Sequence, residues 1–331
     1  MNLRHLTIGP RPDLAKLAVN WPIEYIGPTL FPIAKATEKV GDFGYRAVVA
    51  DAAAESGRSA VTALALNQIT NSSTAFSVTK KEKRYVMSED DVKGMGGIEK
   101  ADNVGAAASK RSVMRGFESA CAEAIFTTAR KNAALELTAG NEFAVIGYQA
   151  NLIRRVKGKI GLVCSKNWLL AFLGLNAVQA RMQSLGGISA VLGAVAAANA
   201  KDTDTLAGVL RVALGLPIDR LLVGDDDHWE ISGAVNTAAL VMVPDLMGQD
   251  VMAACKFDPL YGLSIWYLPD PVGAEDSPFE IDTEWLPSEK LNAWDATGQY
   301  ALVELNTTGA GCIKLPANTV YSTTTTTTTG A

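Results

Sequence analysis

The feature that most constrains the fold is one long stretch with a helical pattern, residues 102–132. Its apolar side chains recur at steps of three and four residues and form a single stripe. The charged residues predicted to lie largely off this stripe are Lys110, Arg111, Arg115, Glu118, Glu123 and Arg130. A helix of about thirty residues is a rod about 45 Å long. Such a rod is long for an ordinary domain.

Residues 1–44 have the character of an arm rather than of a compact domain. The prolines that interrupt this stretch are Pro10, Pro12, Pro22, Pro28 and Pro32. Each proline removes a backbone donor and favours extended geometry in the residue before it. Apolar residues of the arm, such as Leu30 and Phe31, can therefore be buried only against the rest of the subunit or against an adjacent subunit.

Residues 45–87 predict a long two-stranded excursion from the body of the protein. Strand patterns at 45–50 and 74–87 flank a stretch, 51–73, that is rich in Ala, Gly, Ser, Thr and Asn. An isolated hairpin is only marginally stable in water, and this tip has few bulky side chains. We therefore expect the hairpin to pack on a neighbour.

The second half of the chain predicts a compact unit of mixed strands and helices. From about 160 to 270, strand patterns alternate with helical ones, which indicates an α/β or α+β arrangement. Strand patterns return at 279–285, 301–305 and 312–315, before a threonine-rich tail. Arm, hairpin, long helix and tail are all extended, and together they suit a subunit that interlocks with copies of itself.

Charge and cysteine usage narrow the class of protein. The formal net charge of -5 argues against a generally basic nucleic-acid binder, although it leaves room for local contacts with nucleic acid. The cysteines show no C-x-x-C pair, which fits buried thiols in a reducing compartment. The start of the sequence has no signal-peptide core, and no apolar run is long enough to span a bilayer. We expect a soluble protein made in the cytoplasm.

Candidate catalytic or metal-binding residues are few. The most site-like cluster, Asp225 to His228, could form a metal site or an acid/base pair, but it lacks the ligand spacing of a calcium loop. An acidic turn after a strand explains it better. Gly94, Gly96 and Gly97 lack the Lys-Ser/Thr that follows in a phosphate loop. The basic stretch 149–159 fits a nucleic-acid contact, a contact with acidic subunits, or a solvated helix face equally well. We predict no enzyme, and no catalytic, cofactor-binding or metal-binding residues.

Three stretches carry a resemblance to a known family. "PTLFPIAKATEKVGDFGY" is similar to an apolar arm that leads into an extended loop, and "TAFSVTKKEKRYVMSEDDV" to the returning loop strand. "RRVKGKIGLVCSKNWLLAFL", followed by "LAGVLRVALGLPIDRLLVG", is similar to the strand and helix pairing of an axial domain. With the order of parts, these stretches resemble the major capsid proteins of tailed bacteriophages, which have the Hong Kong 97-type fold.

The resemblance implies an α+β fold with a defined order of parts. These parts are an N-terminal arm (1–44), an extended β-hairpin loop (45–87), a peripheral domain (88–159) with a spine helix (102–132), an axial domain (160–275), a return to the peripheral domain (276–320) and a threonine-rich tail (321–331).

The implied function is structural. Copies of such a protein form pentamers and hexamers that close into an icosahedral shell around packaged double-stranded DNA, in the virion. The residues then expected at assembly interfaces are Leu30, Phe31, Pro32, Phe43, Tyr45, Arg58, Phe76 and Tyr85. Other expected partners are separate scaffolding, decoration and portal proteins, with no cofactor and no membrane.

The resemblance also carries two expectations about shell maturation. Some relatives cross-link their shells through a lysine–asparagine bond in the extended loop, but no lysine occurs here between Lys39 and Lys80. We therefore expect a non-covalent shell. Because the arm-like sequence begins near Met1, we expect a separate scaffolding protein, or none, rather than a cleaved scaffold segment.

Two alternatives remain open at this stage. An encapsulin-like nanocompartment shell would have the same fold but would enclose enzymes. A soluble α/β enzyme that uses residues 225–228 would instead form a small oligomer.

Overall fold

A computed structural model describes the chain in thirteen segments: residues 9–15, 25–46, 71–127, 135–137, 140–148, 160–199, 203–214, 218–224, 230–231, 237–244, 262–267, 279–304 and 311–314. The chain divides into two compact units. The first is Met1–Ala124 with Leu246–Thr307, and the second is Ile125–Asp245 with Thr308–Ala331. Within the described segments, no helix combines the length and the apolar character needed to cross a membrane.

The first unit is built around a six-stranded sheet. Its strands are β1 (Gly9–Pro10), β2 (Ile33–Ala36), β5 (Thr79–Ser88), β11 (Gly262–Tyr267), β12 (Phe279–Leu286) and β13 (Leu291–Glu304). The order is β1-β12-β13-β11-β2, and β5 also pairs with β13. All these pairings are antiparallel except β2 with β11, which is parallel. The long central strand β13 therefore organises the sheet.

A separate two-stranded sheet lies between β2 and β5 in the chain. It pairs β3 (Val40–Arg46) with β4 (Asn71–Ser77) in antiparallel register. The first strand begins at Val40, inside the predicted arm, and residues 79–88 of the predicted loop instead pair with β13. The predicted tip, 51–73, lies outside the described residues except for residues 71–73, which begin β4.

Local sequence signals explain how the chain passes from the sheet to the long helix. Helix α3 (Glu89–Gly94) begins with a capping box, in which the Asp91 backbone N–H donates to Ser88 Oγ at 3.2 Å and the Ser88 N–H to the Asp91 carboxylate at 3.2 Å. Gly96 and Gly97 then take positive φ angles of 94° and 116°, which favour glycine. The capping box therefore starts α3, and the two glycines follow its end before the long helix begins.

Helix α4 (Ile98–Ile125) is the predicted spine helix, with shifted ends. It begins before residue 102 and has ended at Phe126, so it is shorter at its C-terminus than the predicted 102–132. The core beside it contains an aromatic cluster, in which the Trp266 ring centroid lies 5.4 Å from that of Phe117, 4.8 Å from that of Tyr300 and 5.5 Å from that of Phe279.

The second unit has its own sheet and core. The sheet order is β6-β14-β10-β7-β8, with β9 paired to β10. These strands are β6 (Leu135–Glu136), β7 (Ile160–Ser165), β8 (Ile218–Gly224), β9 (Glu230–Ile231), β10 (Thr237–Pro244) and β14 (Gly311–Lys314). The helices are α5 (Lys166–Leu173), α6 (Asn176–Asn199) and α7 (Thr203–Leu214), and residues 142–148 are also helical. Side chains of α5, α6, α7 and the strands form one apolar core.

Strand pairing differs from the predicted domain boundaries at two places. Strand β11 falls in the predicted axial segment 160–275, yet it pairs with β13 of the first unit. Strand β14 falls in the predicted peripheral return 276–320, yet it pairs with β10 of the second unit. The glycine- and alanine-rich stretch after residue 185 continues α6 to Asn199.

Two glycines of α4 give a matched test of how tightly the helix packs on the sheet. A methyl group at Gly105 would overlap the indole ring of the fully buried Trp294, whereas one at Gly116 would meet nothing within 4 Å. We expect Gly105→Ala to lower the free energy of unfolding by about 1–3 kcal/mol, the usual cost of overpacking. Gly116→Ala should raise it by about 0.5–1 kcal/mol through helix propensity. Urea unfolding of the two variants checks this, and equal effects would contradict the close helix–sheet contact.

Candidate assembly site

The arm is fastened to helix α4 by three buried charged side chains, Asp102, Lys110 and Glu118, which we call the arm anchors. They are 5%, 1% and 0% exposed. Eight residues separate each from the next, which is about 12 Å along the axis and about 80° around it. The arm elements that they contact are α1 (Pro12–Ala15) and α2 (Gly27–Leu30), together with Arg11 and Ile26 beside them.

Glu118 holds the start of α2. Its two carboxylate oxygens accept hydrogen bonds from the backbone N–H groups of Ile26, at 2.9 Å, and Gly27, at 2.8 Å. A carboxylate at this position satisfies helix donors that otherwise lack a partner and complements the positive end of the helix dipole. A methyl group at Gly27 would lie 2.5 Å from Glu118 Oε2, so the close approach requires glycine.

Lys110 holds the end of α1. Its Nζ donates a hydrogen bond to the Ala15 carbonyl oxygen at 2.6 Å and lies 5.9 Å from the ring centroid of Phe279. Burial disfavours the charged form and lowers the pKa of Lys110 to about 8. The ammonium group also lies at the C-terminal end of α1, where a positive charge is favourable.

Asp102 joins the arm, the helix and the sheet. Its Oδ1 accepts a hydrogen bond from Trp294 Nε1 of β13 at 2.9 Å, and its Oδ2 accepts one from Arg11 Nη1 of the arm at 3.2 Å. Arg11 also binds the carboxylate of Asp13 at 2.9 and 2.7 Å. The first turn of the arm is therefore tied to a charge that is itself fixed by a core tryptophan.

Leu30 and Phe31 are fully buried inside their own subunit. The Phe31 ring lies 2.7 Å from the position that a methyl group at Gly262 would occupy, and Ser264 Oγ donates to the Phe31 carbonyl oxygen at 2.9 Å. Of the two surfaces that sequence leaves open for these side chains, the structure selects the subunit's own first unit. Neither side chain is available for direct contact with a neighbour, contrary to their expected place at an assembly interface.

The other predicted interface residues are spread over the first unit and do not meet in one site. Pro32 is half-buried and accepts a hydrogen bond from the Ser264 N–H at 3.0 Å. Tyr85 is half-buried, with its ring centroid 6.4 Å from that of Trp294, and the half-buried Phe76 packs over Gly41. The backbone of β3 includes Phe43 and Tyr45, but their side chains, and all of Arg58, lie outside the described residues. Interface roles for these residues stay predictions.

A solvent-facing apolar surface occurs on helix α6. Leu185 and Leu192 are 55% and 65% exposed and lie seven residues apart, on nearly the same side of the helix. Arg181 is the one charged residue in the sequence of this helix. Gly193 lies beside Leu192, and a methyl group there would meet nothing within 4 Å, so packing inside the subunit does not explain this glycine.

The described segments were expected to show few features of a catalytic or metal site. They contain no group of three or more His, Cys, Asp or Glu side chains that could hold a metal ion. The predicted acidic cluster at 225–228, the basic stretch 149–159 and the threonine-rich tail lie outside the described residues. Cys121 is buried, and burial raises the pKa of its thiol, which disfavours the reactive thiolate.

Glu118 provides a test of the arm anchors. In Glu118→Gln, one of the two backbone N–H groups loses its acceptor, because the amide presents a single oxygen. We expect the free energy of unfolding to fall by about 1–3 kcal/mol, and the arm to become more sensitive to proteolysis. Glu123→Gln, at an exposed position of the same helix, is the control and should change neither. Equal behaviour of the two variants would show that Glu118 does not anchor the arm.

Lys110 provides a pH test of the same contact. Its pKa is about 8 when folded and 10.5 in the reference state. Between these values the unfolded chain binds the extra proton, so stability relative to Lys110→Met should rise with pH across this window. Below about pH 8 the lysine is protonated in both states, and the difference should be constant. Urea unfolding of both proteins over this range checks the expectation, and a constant difference throughout would contradict it.

Comparison with known proteins finds similarity in structure rather than in sequence. No protein-family model matches the sequence, and no curated protein matches it. A phage-related protein from Bordetella bronchiseptica RB50 is 11% identical, with a TM-score of 0.52 over 93% of this chain and 97% of that chain. A structure from Mycobacterium phage Cain is 11% identical, with a TM-score of 0.50 over 91% and 93%.

A third structure, the asymmetric unit of the bacteriophage PhiM1 mature capsid, is 11% identical, with a TM-score of 0.46 over 95% and 92%. Only the first two are similar enough to establish a shared fold. Both likenesses extend over nearly the whole of each chain. The predicted fold class is confirmed: the chain has the α+β, Hong Kong 97-type fold.

Proposed function

We propose that this chain is a major capsid protein whose copies assemble, through pentamers and hexamers, into an icosahedral shell that encloses double-stranded DNA. The observation that carries the proposal is the shared fold, which extends over more than nine tenths of this chain and of each of two phage-derived structures. The order of parts in the sequence agrees with a structural role.

The first unit gives each subunit a rigid base for assembly. Because the arm anchors are buried and hydrogen-bonded, the arm segments at 9–15 and 25–36 belong to the subunit's own core. Strand β2 is thereby fixed, and the ribbon of β3 and β4 follows it directly in the chain. In this proposal the arm acts on assembly indirectly, by setting where the extended ribbon leaves the subunit. The ribbon then packs on the neighbour in the ring.

The exposed face of α6 is a second candidate contact between copies. Leu185 and Leu192 are too few to support an independent dimer, because a standard interface buries about 800 Å² on each partner. In a closed ring, however, every subunit repeats the same contact, and small apolar contributions accumulate. Arg181 is exposed and lies about 20° around the axis from Leu192, so the contact also has to accommodate one guanidinium group on this face.

The proposed shell also implies where the protein resides and which other proteins it contacts. The protein would reside in the virion, with separate scaffolding, decoration and portal proteins as further partners, and without enzymatic activity. An encapsulin-like shell is the alternative that shares the same fold. Its contents would distinguish it, since it encloses enzymes rather than DNA.

Electron microscopy of the purified full-length protein tests the proposal. We expect large closed particles under assembly conditions, with phage partners supplied where required. A protein that stays monomeric or dimeric under all these conditions would overturn the proposal. Particles filled with enzyme rather than DNA in the native host would favour the encapsulin-like alternative.

The α6 contact predicts a specific assembly defect. Leu192→Lys places a charge on the proposed interface, so we expect normal folding of the free subunit but a clear loss of closed particles. Gln183→Lys adds the same charge at an exposed position about 160° around the same helix from Leu185. This control should assemble normally. Circular dichroism and particle counts by electron microscopy measure folding and assembly, and normal particles from Leu192→Lys would exclude this contact.

A further inference from the structure

Strand β5 leaves one long side of its backbone without a partner. Its other side pairs with β13 over the whole strand, from Thr79 opposite Tyr300 to Ser88 opposite Leu291. No other strand in the described part of the chain pairs with β5. In an antiparallel pair, every second residue directs its N–H and C=O away from the partner, so about five residues of β5 offer both groups to the free side. A further strand can form on such an edge.

The Arg84 charge is directed across the sheet rather than over this free edge. Its guanidinium group binds Asp295 of β13 at 2.6 Å and Glu284 of β12 at 3.1 Å. Both strands lie on the side of β5 away from the free edge. Lys80 binds Glu82 of its own strand at 2.9 Å. Charged side chains often protect an exposed edge from chance pairing, but the Arg84 charge is not placed for that purpose.

Two kinds of partner strand are unfavourable at this edge. Residues 80–84 include four Lys or Arg and one Glu, so pairing with the same edge of a second copy would set like charges beside one another. A strand with an apolar face is also a poor fit, because the side chains of residues 79–84 are exposed on both faces of β5. The edge therefore suits a strand that is uncharged and polar on both faces.

The threonine-rich tail, 321–331, has this character. It contains seven consecutive threonines at 323–329 and neither a charged side chain nor a proline. Threonine is β-branched and favours strands, and its hydroxyl group is compatible with solvent on either face. Without proline, every tail residue keeps the N–H that a strand pairing needs. The seven threonines would cover most of the ten residues of β5.

We propose that the free edge of β5 takes the threonine-rich tail of a neighbouring copy as an added strand. This inference rests on the proposed shell and adds to it a named contact between copies. In the described part of the single chain the edge of β5 stays open, although the chain carries a tail of its own. Each copy then gives one tail and receives one, which is a heterologous contact that can close into a ring. Main-chain hydrogen bonds supply the affinity of an added strand.

The uniform sequence of the tail suits a shell that contains both pentamers and hexamers. Register is weakly specified in a strand that is polar on both faces. Because each threonine offers the same side chain, a shift of the tail along β5 replaces each contact with an equivalent one. The same added strand can therefore form between copies that meet at slightly different distances.

Cysteine cross-linking in the full-length protein tests the proposal. Thr326→Cys in the tail is combined with Lys81→Cys or Lys83→Cys on β5, so that more than one register is sampled. The control combines Thr326→Cys with Glu280→Cys, at an exposed position of β12, two strands away from β5. Assembled particles are oxidised, and denaturing gels without reductant show which chains are joined. Electron microscopy of the same samples gives the assembly state.

We expect chains joined in pairs or longer ladders from at least one β5 variant, several-fold above the control and the oxidised wild type. Adding Thr324→Pro/Thr328→Pro should abolish this product, because proline cannot donate to a strand ladder. Adding Thr324→Val/Thr328→Val should retain it, because valine keeps the preference for strands. Without any added cysteine, particles of the proline variant should dissociate at a lower urea concentration than those of the valine variant, with equal folding of the free subunits by circular dichroism.

Particles that show no joined chains above the control would overturn the proposal, as would equal dissociation of the proline and valine variants. A disulfide within one chain, seen as a single chain of altered mobility, would assign the tail to its own subunit and would also contradict it. These outcomes leave the capsid function intact. Absence of wild-type particles would instead refute the capsid function and this contact with it, which separates the two failures.

Discussion

The first unit depends on the hydrogen bonds of the buried Glu118 carboxylate, because they join the arm to the long helix. An ionised group without exposure is tolerated only when its charge is fully hydrogen-bonded. Here the partners are backbone N–H groups of the arm at Ile26 and Gly27. Lys110 depends in the same way on the Ala15 carbonyl. Detaching the arm would remove these partners and uncover both charges, so the arm and the helix are joined at both points.

Close approach is the second constraint, and it acts through glycine. Gly27 admits the Glu118 carboxylate, Gly105 admits the Trp294 indole, and Gly262 admits the Phe31 ring. At each place the missing side chain lets one element settle directly against another. The arm, helix and sheet are thus locked by shape at the same points where they are joined by hydrogen bonds. A subunit with such a base can present its contacts in fixed directions.

Local features of this fold could be predicted from sequence, whereas its buried charges could not. The Ser88 capping box, the glycine break after α3 and helix α7 over Thr203–Leu214 follow from short-range signals. Lys110 and Glu118 were expected off the apolar stripe, because periodicity counts only apolar residues and assumes one buried face. Helix α4 is covered by the arm as well as by the sheet, so charges on a second face are also buried. The eight-residue spacing of Asp102, Lys110 and Glu118 was only a weak signal that these side chains are buried.

The pairing partner of each strand was the second feature that could not be predicted from the sequence. A strand pattern identifies β11 and β14 as strands without identifying the sheet to which each belongs, since that depends on contacts far away in sequence.

The arm anchors also have a mechanical consequence. A helix that is held by contacts along a single line can rotate about its axis. The three arm anchors on α4 are instead distributed over about 160° of its circumference. Torque applied to the helix would be resisted at all three points, so the arm opposes rotation of the helix about its axis.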